Sequence, residues 1–163
     1  MTYKGSTMAT RTASERSAGA RTLDARELKK FPGYLLARAR YLAFKTFEQA
    51  VRESCELRPV EFSILLLIST NENVTQSQLA QALGVAAPNM TGMLRRLQER
   101  KLVERERSEA DARQQHLALT AEGRRVLETA YTQARNADKG WMNRLSKAEQ
   151  GIFLELLDKL TAI

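Results

Sequence analysis

The stretch from Val74 to Thr120 constrains this chain most, because it places two short helices, a sharp turn and an alternating hairpin in a fixed order. Thr75-Gln-Ser-Gln78 has the Thr-x-x-Gln form of a capping box, in which hydroxyl and amide satisfy the unpaired donors of a helix start. Leu79, Ala80 and Leu83 follow at helical spacing, and Gly84 stands where a helix end favours a left-handed residue. A further helix is predicted from about Ala87 to Lys101, with Met90, Met93, Leu94 and Leu97 inward. Leu102-Val-Glu-Arg105 and His116-Leu-Ala-Leu119 alternate as two antiparallel strands around the polar loop Ser108 to Gln115. Two helices crossing at roughly 90–120° need a small residue where they touch and a turn residue that tolerates positive φ. Ala80 and Gly84 meet those needs, and Val85, Met90 and Met93 can bury against the first helix. Helix, turn, helix and strand–loop–strand together define a winged helix-turn-helix.

The flanking sequence is helical. Pro32 suits the first turn of a helix, and Tyr34, Leu35, Tyr41, Leu42, Phe44, Phe47 and Val51 recur at helical spacing to about Ser54. Pro59 starts a second helix, whose run Phe62 to Ile68 is apolar nearly all round and belongs inside a core. Thr120 can cap a fifth helix with the stripe Leu127, Tyr131, Ala134, Trp141 and Leu145, and Gly140 within it is an expected bend. Ser146-Lys-Ala-Glu149 is a second capping box, opening a last helix with Phe153, Leu156, Leu157 and Leu160 on one face. The fold class is mainly α with a small β-hairpin wing: a winged helix-turn-helix over residues 59–120, and a helical dimerisation region over 31–58 and 121–163. Residues 1–30 form a basic tail, readable as a source of non-specific DNA affinity, an extension of a dimer interface or a dispensable arm. The first, fifth and sixth helices are too long and apolar for a small winged-helix core, so their surplus face fits a second copy. A monomer with a compact helical cap is the alternative.

Charge and composition narrow the function. Of a net charge of +7, residues 1–30 carry seven bases against three acids, and residues 75–120 seven bases against five acids. The excess base thus falls on the tail and the winged segment, as phosphate binding requires. The apolar run Phe62 to Ile68 is far short of the roughly 20 residues a membrane span needs. Met1 to Lys30 has no apolar centre of a secretory signal, and Glu15, Asp24 and Glu27 argue against a mitochondrial one. The lone Cys55 allows no internal disulfide and suits a reducing, cytoplasmic setting.

The outward side of the fourth helix is the candidate reading face. Ala87, Pro88, Asn89, Thr91, Gly92 and Arg95 are small or polar near its start, so the helix can enter a major groove. Asn89 can pair with adenine, and a methyl of Thr91 or Ala87 can touch a thymine methyl. Arg95 and Arg96 add positive charge, while Thr75 and Gln76 at the third helix start are placed to hold a phosphate. Arg113 near the hairpin tip can enter a minor groove, with Asp111 holding the loop's shape. The bland readings are a solvated helix face and an inert hairpin tip.

At this point the chain resembles the multiple antibiotic resistance regulator (MarR) family of winged-helix transcription factors. Asp111-Ala-Arg113-Gln-Gln-His-Leu117-Ala-Leu119-Thr120-Ala-Glu-Gly123 is similar to the family's D-x-R-x-x-x-(V/L)-x-L-T-x-x-G wing signature. Met90 to Leu97 through Lys101-Leu-Val103 resembles its recognition helix and exit. The resemblance implies a homodimer paired through the N-terminal and two C-terminal helices, acting on double-stranded DNA at a palindromic operator. It also implies a repressor released by a small aromatic or phenolic effector bound between the dimer and DNA-binding parts, for which Tyr41 and Phe62 are candidate lining residues. Gly92 stands where arginine is frequent, Lys101 where glycine is frequent, and Arg58 where a hydroxyl residue precedes the proline.

Other chemistry finds little support. Cys55 follows the first helix, whereas sensing cysteines of relatives sit near its start; Glu53 and Glu56 disfavour its thiolate while Arg52 and Arg58 favour it, so a structural role is expected. His116 is the single histidine, so no zinc site of the usual ligands and no catalytic triad is expected, nor any cofactor or enzymatic activity. The alternative to a DNA-binding regulator is a winged-helix protein-interaction or dimerisation module without specific DNA binding. If the wing reads DNA, Arg113→Ala weakens operator binding by about 1–3 kcal/mol in a fluorescence titration; unchanged affinity removes the wing from the mechanism.

Overall fold

Proline and capping chemistry set the helix starts. Pro32 opens α1, Pro32–Phe47, where its missing N–H leaves no bond unmade. The helix widens into a π-helical stretch, Glu48–Arg52, and closes with a last α turn, Glu53–Cys55. Glu56, left-handed at φ 52°, ends it. The expected length to about Ser54 agrees, but the π stretch has no counterpart in the sequence reading. The structure, a computed structural model, describes residues 23–107 and 115–161. The chain divides into two units, Met1–Leu36 and Ala37–Ile163. In the first, a 3-10 turn at Leu28–Lys30 precedes the opening of α1.

Helix α2, Pro59–Thr70, starts where the Arg58 N–H donates to Glu61 Oε2 at 3.0 Å. It buries Ile64, Leu65 and Ile68, with Phe62, Leu66 and Leu67 half-buried, consistent with its all-round apolar sequence. Each fully buried aliphatic side chain contributes about 1.5–3 kcal/mol. Helix α3, Gln76–Ala82, has the expected capping box: the Gln78 N–H donates to Thr75 Oγ1 at 3.3 Å and the Thr75 N–H to Gln78 Oε1 at 2.8 Å. Helix α4, Ala87–Glu99, turns Met90, Leu94 and Leu97 into the core.

Helices α3 and α4 end in the same way. In each, one residue turns left-handed, and the next N–H reaches back five residues. After α3 this residue is Gly84, φ 59°, with Gly84 N–H to Gln81 O at 3.2 Å and Val85 N–H to Ala80 O at 2.9 Å. After α4 it is Lys101, φ 57°, with Lys101 N–H to Gln98 O at 2.8 Å and Leu102 N–H to Leu97 O at 2.9 Å. The fourth helix therefore stops at Glu99, two residues short of the sequence expectation.

Strands β1, Val103–Arg107, and β2, Gln115–Leu119, pair antiparallel with Val103 opposite Leu119 and Arg105 opposite Leu117. Val74 adds an isolated bridge to Leu117. Val103, Leu117 and Leu119 point into the core. Thr120 joins the hairpin to α5, Ala121–Met142, donating its hydroxyl to Lys101 O at 2.6 Å and accepting the Gly123 N–H at 2.9 Å. A Cβ at Gly123 would run into the Leu102 carbonyl, so the final glycine of the wing signature has a steric reason.

Helix α5 packs on α2, β2 and the π stretch of α1, burying Leu127, Ala130 and Ala134. Tyr131, placed on that stripe by the sequence reading, is instead 42% exposed. The helix runs through Gly140 to Met142 without a break. Helix α6, Lys147–Thr161, begins with the Ser146/Glu149 capping box and is held to the end of α5 by Trp141 edge-on to Phe153 at 6.1 Å and by the Gln150 amide. Neither Pro32–Phe47 nor α6 has a buried residue, whereas the π stretch and last turn of α1 bury Val51 and Cys55. Phe153 and Leu157 are half-buried, whereas Leu156 and Leu160, expected on the same face, are exposed. Among the described residues no helix is long and apolar enough to cross a membrane.

A lysine at φ 57° carries a Cβ clash that glycine avoids. Lys101→Gly is therefore expected to stabilise the fold by about 0.5–1 kcal/mol, after the added freedom of the unfolded chain is deducted. Urea unfolding should show a higher midpoint at unchanged slope; a lower midpoint would contradict the strain assigned to this turn.

Candidate nucleic-acid interface

The turn after Gly84 carries the chain from α3 into α4, with Val85 half-buried beneath it. Because Met90, Leu94 and Leu97 fix the inner side of α4, the opposite side emerges as Ala87, Pro88, Asn89, Thr91 and Arg95, all exposed. Ala86, the residue before α4, offers no side-chain cap to the helix start. The first-turn N–H groups of α4 are thus a natural anion site. Arg95 stays at the surface, 3.7 Å from Glu99.

Arg96 is placed differently from the reading face. Its Nε and one terminal nitrogen donate to Glu61 Oε1 at 3.0 and 2.8 Å, while Glu61 itself is buried. Arg100, one turn further, donates to the carbonyls of Cys55 and Glu56 at 2.9 and 2.8 Å. It thereby satisfies acceptors left open at the end of α1. The two arginines bind the second half of α4 to the α1–α2 junction, and an open groove of about 750 Å³ lies beside them. A carboxylate three residues after the helix-capping position was the sequence signal for Glu61; nothing local pointed to its partner.

Thr75 and Gln76 are engaged within the protein. Thr75 caps α3, and the Gln76 amide nitrogen donates to Thr91 Oγ1 at 2.7 Å. Arg105 on β1 donates to Gln76 Oε1 at 3.4 Å and to Gln115 Oε1 at 3.1 Å. Side chains from the hairpin base, α3 and α4 thus meet on one exposed surface. Arg105 and Gln115 did not feature as candidates; an arginine at a strand position of the same parity as buried Val103 was the available hint.

Asp111 and Arg113 lie outside the described residues. Tyr41 is 70% exposed, whereas Phe62 pairs with Phe47 at 5.5 Å between ring centres. Cys55 is buried. His116 keeps Nδ1 buried without a partner among the described residues. Among those residues no three His, Cys, Asp or Glu side chains group as metal ligands.

A helix with a small, polar exposed start, set by a preceding helix and flanked by a β-hairpin, defines a winged helix-turn-helix DNA-binding transcription regulator. Residues 57–114 match the sequence profile of the MarR family. The transcriptional regulator HosA of Escherichia coli is 31% identical over 105 residues, spanning 64% of this chain and 78% of HosA. An HTH-type transcriptional repressor of Mycobacterium tuberculosis is 31% identical over 100 residues, 61% of this chain and 72% of its own. A solved structure of the transcriptional repressor CouR bound to a 23-mer DNA duplex superposes with a TM-score of 0.79 at 32% identity, covering 85% of this chain and 98% of CouR. CouR bound to p-coumaroyl-CoA gives 0.77 at 31% identity, over 86% and 99%. The chain belongs to the MarR family.

Arg96→Ala leaves a buried carboxylate with a single remaining donor among the described residues, the Arg58 N–H. Because Arg96 is 40% exposed, the expected loss is moderate, about 1–3 kcal/mol of unfolding free energy. Combined with Glu61→Gln, the loss should be smaller than the sum of the two single losses; additivity would show that the pair does not act as a unit.

Proposed function

We propose that this chain is a homodimeric repressor that binds a palindromic duplex operator and is released by a small aromatic or phenolic ligand. The observation that carries the reading is the exposed row Ala87, Pro88, Asn89, Thr91 and Arg95 on α4, beside the hairpin. In this reading Asn89, Thr91 and Arg95 face the major groove, Arg113 the minor groove, and Thr75 and Gln76 stand at the phosphate-facing start of α3. Arg96 serves the same function by holding α4 rather than by touching DNA. CouR, 32% identical, is a repressor solved on a DNA duplex.

Dimerisation rests on α1 and α6. Tyr41 and Phe44 on α1 are 70% and 45% exposed, and Ile152, Leu154, Leu156 and Leu160 on α6 are each more than half exposed. A second copy would cover such faces, and a two-fold axis would set two α4 helices about 34 Å apart. The helices 31–58 and 121–163 form the dimerisation region and 59–120 the DNA-binding region, although one continuous core includes residues from both. An aromatic effector is supported by the structure of CouR with p-coumaroyl-CoA, with Tyr41 and Phe62 as lining candidates.

Duplex binding measured across a salt series is the direct test. The reading expects nanomolar affinity whose logarithm falls linearly with the logarithm of salt, because each neutralised phosphate releases counterions. Sedimentation should give a dimer, and p-coumaroyl-CoA or a free phenolic acid should lower the affinity. No duplex binding at any salt would leave a protein-contact module as the function.

A further inference from the structure

Thr91 is exposed, yet its hydroxyl is already engaged within the protein: it donates its proton and accepts one hydrogen bond. We propose that Arg105 and Gln76 are positioning residues that fix the orientation of this hydroxyl, so that α4 reads DNA here through the Thr91 methyl group, against the 5-methyl of thymine. The inference rests on the reading of α4 as the recognition helix.

The direction of each hydrogen bond follows from what its members can do. A guanidinium only donates. Arg105, held between Gln115 Oε1 at 3.1 Å and the Gln76 amide at 3.4 Å, therefore requires the oxygen of Gln76 on its side. The amide nitrogen of Gln76 is then the end turned to Thr91 Oγ1, 2.7 Å away, and Thr91 must accept. The single hydroxyl proton of Thr91 goes to Ala87 O at 3.0 Å, one turn back in α4. A threonine side chain has one rotatable bond before its branch. Fixing the oxygen from two sides fixes the methyl as well, and it spends the hydroxyl proton within the protein, leaving the side chain no donor to offer a base. A hydroxyl free to rotate would accept from or donate to several base edges. A methyl held in place favours thymine, which alone presents a methyl in the major groove.

The relay joins residues 15 and 29 positions apart in sequence, from α3, α4 and β1. It therefore makes base discrimination at Thr91 depend on the base of the wing, a coupling that a phosphate contact by Arg105 would not produce.

The test uses the full chain and a library of duplexes with a randomised 20-base-pair centre. Sequences enriched by the wild type are resynthesised with deoxyuridine at each thymidine, which deletes only the 5-methyl. The wild type should lose about fourfold in affinity at one thymine per half-site, the worth of one buried methyl-sized group. Thr91→Ser, which keeps the relay and lacks the methyl, should lose that sensitivity, and Thr91→Val should retain it. Arg105→Met should reduce the deoxyuridine penalty at the same thymine. The proposal is overturned if Thr91→Ser shows the full penalty, if no thymine is sensitive, or if Arg105→Met weakens all duplexes equally with the penalty intact. Failure of the wild type to enrich any sequence would instead defeat the DNA-binding reading on which the proposal stands.

Discussion

The placement of α4 depends on one buried carboxylate. Glu61 accepts the Arg58 N–H on one oxygen and two Arg96 N–H groups on the other. A carboxylate out of water is costly unless its lone pairs are filled. This demand favours one rotation of α4 about its own axis against α2. Successive helical residues point about 100° apart, so turning Arg96 towards Glu61 leaves its neighbour Arg95 on the solvent side. The apolar positions Met90, Leu94 and Leu97 agree with this setting, and the ion pair sharpens it, because apolar packing alone tolerates small rotations more readily than a fork of hydrogen bonds does.

Helix α4 is consequently divided in two along its length. Its first half presents small and polar groups outward, while its second half, through Arg96 and Arg100, is bound to the α1–α2 junction. Positive charge in the sequence of a helix is thus a poor guide to what its side chains engage. Two of the arginines on or just beyond α4 serve the protein's own architecture, and the hairpin arginine Arg105 is engaged with two glutamines.

Local chemistry was legible in the sequence where it acts within a few residues. The capping boxes at Thr75 and Ser146, the cap at Thr120, the left-handed Gly84 and the inward face of α4 all follow from spacing and residue type. The end of α4 was not legible. Lys101 performs the backbone role of Gly84 with a side chain that gives no sign of it, although a glycine frequent at that place in the family was the clue. Glu61 with Arg96 and Gln76 with Thr91 are separated by 35 and 15 residues, and periodicity carries no information at that range. Tyr131, Leu156 and Leu160 fit an apolar stripe, but one chain offers too little to cover them. The wing tip, with Asp111 and Arg113, remains a matter of its signature.

The meeting of Gly123 with the Leu102 carbonyl has a mechanical side. Backbone touches backbone there, and Thr120 bonds to both sides of the joint, through Lys101 O and the Gly123 N–H. With no side chain between them to absorb motion, the hairpin base and the first turn of α5 behave as one rigid corner. Helix α5, 22 residues long, extends about 33 Å from that corner. By that length alone, a rigid tilt of about 5° at the root of the hairpin would carry the far end of α5 through about 3 Å.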